Sequence, residues 1–199
     1  MQGSTPSRTV RTGIAAAFAA AFLGGALTIF AIVNVAGAAL GFTQLPFAWR
    51  VGLAGAGLLP LAAADLCAMA KSSYCPISWR RQTPRNLLRR YRMPVAASLW
   101  GFDTGLIVTT FRVAAVSWGA LFLAALGLLP LWAGLGYGLA FTLPFLVLLM
   151  RPRLGRSARD AAPADPGLES MLRKRAAIQG LSAALLITSA GILIGSVIA

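Results

Sequence analysis

The sequence of 199 residues predicts an all-α, polytopic transmembrane helix bundle, and three observations carry that reading. Apolar residues make up 58% of the chain and charged residues 12%, against about 45–50% and about 25% in a soluble domain. The mean hydropathy is +0.75. The 18 Lys/Arg and 5 Asp/Glu fall mostly into three short stretches, so the long tracts between them must face lipid or one another.

The elements follow in order. Residues 1–12 are polar with Arg8 and Arg11, and from Gly13 to Leu40 the chain runs 28 residues without a charge. A cleaved signal peptide has an apolar region of only about 7–15 residues, so the span near 13–40 is expected to be retained. Gly24, Gly25 and many alanines permit close helix contact there. A turn with Pro46 and the interfacial pair Trp49-Arg50 leads into a second span near 51–70, which carries Pro60, Asp65 and Cys67 and ends at Lys71.

Residues 71–93 hold seven basic residues and no acid. After Pro84, Leu87, Leu88 and Tyr91 recur at helical spacing among arginines, the pattern of a short helix lying on the headgroups; a solvated basic loop is the alternative. Residues 94–150 contain one acid, Asp103, and one base, Arg112, in 57 largely apolar residues. The reading divides them into spans near 94–116 and 118–150, with a broken or re-entrant stretch. Residues 151–175 form a second basic loop, again with seven Lys/Arg, and 176–199 a last span.

Five spans plus a broken segment put the amino terminus and both basic loops, 71–93 and 151–175, on the cytoplasmic side of a cell inner (plasma) membrane, as the positive-inside rule requires. Sixteen of the eighteen basic residues then lie in or beside cytoplasmic segments. Six spans are the alternative.

The net charge of +13 and the pI near 11.7 would suggest nucleic acid in a soluble chain. Here the basic residues flank apolar spans and serve anionic lipid headgroups, at about 1 kcal/mol each near the surface. The expected partners are therefore the bilayer and a membrane protein or second copy of the chain, with no nucleic acid. The sequence contains no histidine. That excludes a Ser-His-Asp or Cys-His dyad, His-ligated haem and the usual His-containing zinc sites, so no metal or cofactor is expected and catalysis is not favoured.

Ionisable residues inside a span are costly unless paired or wetted, which makes Asp65, Asp103 and Arg112 the first candidate site residues. Asp103 and Arg112 are nine residues apart, about 13.5 Å and half a turn on a continuous helix, so they meet only if the helix breaks. Gly101 and Gly105, with Thr104, Thr109 and Thr110, offer a place to break it, and broken helices at membrane depth expose backbone groups that hold ions or anionic groups. A structural ion pair of Asp65 with Arg112 is the other reading.

Cys67 and Cys75 form a C-x7-C pair beside the first basic loop. With the turn at Lys71-Ser72-Ser73 they could approach each other as a redox pair; as reduced, inert thiols they would have no role. The Cys75-Pro76 step and the Pro/Gly-broken spans of this small body resemble the membrane-embedded thiol–disulfide carriers of the cytochrome c biogenesis and DsbD type. That resemblance implies passage of electrons from cytoplasmic thioredoxin across the membrane. The family carries one cysteine in each of two related halves, whereas both cysteines here lie close together. Two function classes follow: a carrier or transporter-like module, or a non-catalytic subunit that packs against a partner through small-residue helix faces.

Overall fold

The computed structural model describes residues 8–73, 90–109, 113–150 and 174–198. Six α-helices and no strands occur among them: α1 (Arg8–Ala39), α2 (Phe47–Ala70), α3 (Met93–Gly105), α4 (Val116–Ala125), α5 (Ala133–Met150) and α6 (Arg175–Ile198). A short 3-10 turn, Phe42–Gln44, joins α1 to α2. Both basic loops, the segment proposed to lie on the headgroups, Cys75, Thr110 and Arg112 fall wholly or mainly outside the described residues.

Among the described residues three helical stretches are long and apolar enough to cross a membrane: Thr12–Ala39, Phe47–Ala70 and Arg175–Val197. They match the first, second and last expected spans. The middle of the chain corrects the expectation of five. The segment 94–116 is not one helix, because α3 stops at Gly105; the segment 118–150, expected to carry a break, comprises the end of α4 and all of α5. The physical reason lies in the terminators. Ile107 takes a left-handed φ of 61°, a conformation that costs a β-branched residue about 1–3 kcal/mol and ends the helix. Gly127, with φ 66°, stops α4 without that cost: the Leu128 N–H donates to Leu123 O at 2.9 Å and the Gly127 N–H to Ala124 O at 3.0 Å, a Schellman cap.

The helices form two compact units. The first takes α1 as far as Ala31 together with α3 and α5. Its core is Phe18, Phe22, Ala26 and Ala97, with Ile14 and Tyr137 packed against them. Phe22 stacks on Phe141 at 4.7 Å between ring centroids, and Trp100 meets Phe18 edge-on at 5.4 Å, geometries that add to plain area burial. Backbones approach closely here. A Cβ at Gly101 or Gly105 would overlap the carbonyl oxygen of Phe18 or Phe22 respectively, and one at Gly25 would overlap that of Phe102.

The second unit takes α1 from Ile32 together with α2, α4 and α6. Its core is Leu58, Ala62, Ala115, Leu186 and Ala190. Helix α2 packs along α6, and α4 lies against both. With ten residues, α4 is about 15 Å long, half the thickness of a hydrocarbon core.

Candidate functional site

A helix of this length inside an apolar body has a problem at each end, because its first N–H and last C=O groups lack partners within the helix. The residue before α4, Ala115, offers no side-chain cap. The missing acceptors come from other helices. Asp65 of α2 is fully buried, and both its carboxylate oxygens accept the Ala115 N–H at 2.9 Å. Ser182 of α6 donates its hydroxyl to Asp65 Oδ2 at 2.5 Å and accepts the Val116 N–H at 3.1 Å. The carboxyl group of Asp65 thus faces the positive end of the α4 dipole.

The opposite end of α4 meets the complementary charge. Arg50 Nη1 points at Leu126 O at 3.4 Å, and its guanidinium lies 5.6 Å from the Phe47 ring centroid. Arg50 and Asp65 are fifteen residues apart on α2, about 22 Å along the axis. One helix therefore carries the cation and the anion that bracket the short one.

Gln179, fully buried on α6, extends the cluster. Its Nε2 donates to Ser73 O at 3.0 Å and to Val113 O at 3.2 Å, tying the turn that ends α2 to the approach into α4. Two carbonyl partners fix the amide orientation, because an oxygen in that place would oppose both. Its own oxygen, Gln179 Oε1, is buried without a partner, as are Ser117 Oγ and Trp118 Nε1 in the first turn of α4 and Arg50 Nε at its far end. Buried polar atoms left unpaired are uncommon and call for an explanation.

The expected site residues divide accordingly. Asp65 holds the centre of a polar cluster in the second unit, engaged by a helix N-terminus and a serine. Asp103 and Thr109 lie in the first unit. There Asp103 sits in the last turn of α3 and not in the middle of a long span, and the Thr109 hydroxyl donates to its backbone carbonyl at 2.5 Å, capping a group that the end of the helix would orphan. Gly101 and Gly105 serve packing. Cys67 is a free, exposed thiol: two residues turn a helix through about 200°, so a buried Asp65 sends Cys67 outward.

Sequence reasoning missed Gln179 and Ser182. The signal was there, since they are an i, i+3 polar pair in an otherwise apolar span and so share one face. Among the described residues there is no group of three or more His, Cys, Asp or Glu side chains that could hold a metal ion. No protein-family model, no curated protein and no solved structure matches the chain.

Proposed function

We propose that this protein is a small carrier or transporter-like module of the bacterial inner membrane, and that its working site is the polar cluster of Asp65, Gln179 and Ser182 at the amino-terminal end of α4. The observation that carries this reading is the environment of Asp65. A fully buried carboxylate is held by hydrogen-bond donors, with no cationic partner among the described residues, beside buried polar atoms that have no partner of their own. Carboxylates at membrane depth mark ion and substrate pathways. Half-helices whose N-termini face an anionic group are a recurrent way of building such sites.

A carrier must expose its site to water, whereas a buried structural clamp need not. Ser117, in the first turn of α4, reports the difference. With Cys67 and Cys75 replaced by serine, Ser117→Cys should react with a small, membrane-impermeant thiol reagent in sealed vesicles. Protection from both sides, in a protein that inserts normally, would remove the carrier reading.

A second reading, a non-catalytic subunit, is favoured by one feature of α2. Ala48, Gly52 and Ala56 recur at four-residue spacing and, with Trp49, Leu53 and Val197, line an apolar groove of about 440 Å³. A Cβ on Gly52 would meet nothing within 4 Å, so among the described residues nothing packs against that position of the row. A partner's transmembrane helix fits such a row. Gly52→Ile should then shrink the complex measured by light scattering in detergent; an unchanged mass would dispose of that reading.

A further inference from the structure

We propose that Arg50 is the centre of a binding site for the phosphate of an anionic phospholipid, at the end of α2 opposite the basic loop 71–93. The site lies at the other end of α4 from the Asp65 cluster, and it holds whether that cluster is a carrier site or a structural clamp.

The level of the residue in the membrane comes first. Helix α2 has 24 residues, about 36 Å, which exceeds a hydrocarbon core of about 30 Å, so its first turn, from Phe47 to Arg50, emerges at an interface. The side chains there agree. Phe47 is 64% exposed, Trp49 68% and Leu40, just past α1, 71%, and aromatic residues collect at the headgroup level. Lys71 marks the other end of the same helix, so Arg50 stands apart from the basic loops. With those loops in the cytoplasm, it meets the outer leaflet.

Arg50 is a cation short of acceptors. A guanidinium has five N–H donors in a fixed fork. Among the described residues the one oxygen this fork reaches is Leu126 O, from Nη1 at 3.4 Å, and its other contact is the Phe47 ring. No carboxylate pairs with it: Asp65 is fifteen residues further along α2, about 22 Å, and is engaged by Ala115 and Ser182, while Asp103 belongs to the first unit. The positive start of α2 and the negative finish of α4 both lie beside it and offset each other. The charge of the guanidinium remains.

The fork is also held in place. Nε is buried without a partner, and Nη1 lies 3.4 Å from the position that a Cβ on Gly127 would take, with Thr43 Cγ2 2.9 Å from the same point. Gly127 and Thr43 thus wall the guanidinium on one side. Nη2 has no partner and is not buried, so the edge formed by Nη1 and Nη2 is the one left for a ligand. A phosphodiester presents two oxygens to such an edge, the bidentate pairing that arginine makes with phosphate. Leu40, Phe47 and Trp49 make the surroundings apolar and exposed, which suits an amphiphile and not a free, hydrated phosphate. Without a carboxylate beside Arg50 to receive the ammonium of a zwitterionic headgroup, the fitting lipid carries net negative charge.

Thermal unfolding and native mass spectrometry of the full chain in detergent test the site, with phosphatidylglycerol, phosphatidylcholine or inorganic phosphate added. Phosphatidylglycerol should raise the melting temperature of the wild type above its value in phosphatidylcholine, and inorganic phosphate at the same concentration should not. In Arg50→Gln, which keeps an N–H donor for Leu126 O, the tightest phosphatidylglycerol adduct should weaken at least about tenfold, and the melting increment should be lost. Arg90→Gln, at an exposed position of the first basic loop, should keep both. If Arg50→Gln fails to insert, Arg50→Lys serves instead: the charge stays and the planar fork goes, so the adduct should weaken without disappearing. Equal binding of phosphatidylglycerol to the wild type and the Arg50 variants, an equal loss in Arg90→Gln, or equal stabilisation by phosphatidylcholine would overturn the proposal. Stabilisation by inorganic phosphate that matches the lipid's overturns it too, in favour of a free-anion site.

Discussion

At the scale of single residues the decisive fact is that Asp65 finds its partners in a backbone N–H and a serine hydroxyl. Sequence reasoning can single out a carboxylate in an apolar span, because its cost is a property of the side chain. It cannot say that the donor is the Ala115 N–H, since every non-proline residue has the same N–H and only the end of a helix leaves it free. For that reason Asp65 was legible and its backbone partner was not; Arg112, the partner that charge alone suggests, lies outside the described residues. The hydrogen bonds define a stability prediction. Asp65→Ala strands the Ala115 N–H and the Ser182 hydroxyl inside the protein, at about 1–3 kcal/mol for each unpaired donor. Asp65→Asn keeps an acceptor and should lose less. Thermal unfolding in detergent should therefore rank wild type above Asp65→Asn and Asp65→Asn above Asp65→Ala; equal melting of the alanine variant and wild type would mean that the cluster does not hold α4.

At the scale of elements the glycines separate what pattern shows from what packing decides. Gly101 and Gly105, four residues apart, could serve as a helix break or as a close-contact row, and a sequence contains both possibilities. The structure uses them as contact, with their faces against the carbonyls of Phe18 and Phe22, and puts the break two residues later at Ile107, where no propensity would place it. By contrast, the stop at Gly127 follows the ordinary rule for a helix C-terminus. The contrast between glycines is measurable. Gly101→Ala forces a methyl group against backbone that cannot move aside, an overpacking cost of about 1–3 kcal/mol. Gly24, one residue from the tightly packed Gly25, has nothing within 4 Å of an added Cβ, so Gly24→Ala should stabilise by about 0.5–1 kcal/mol through helix propensity. Melting curves of the two variants should move in opposite directions. A Gly101→Ala protein as stable as wild type would show that α1 and α3 are not held by this contact.

At the scale of the whole molecule the prediction concerns which side of the membrane each loop occupies. Three apolar helices among the described residues are of spanning length, while α3, α4 and α5 are pieces of 13, 10 and 18 residues. At about 1.5 Å per residue these come to about 20, 15 and 27 Å, so α5 approaches the thickness of a hydrocarbon core of about 30 Å and the other two fall short. Counting helices alone thus leaves the parity of crossings between the two basic loops undetermined; charge supplies it. Loops 71–93 and 151–175 hold seven Lys/Arg each, and short basic loops are retained in the cytoplasm. The expected arrangement has an even number of crossings between them. In a background with Cys67 and Cys75 replaced, Ser157→Cys should therefore react with an impermeant reagent only from the cytoplasmic face of oriented vesicles. Reaction only from the outer face would mean that α3, α4 and α5 make an odd number of passages. It would also return the six-span alternative, with the second basic loop outside against the charge rule.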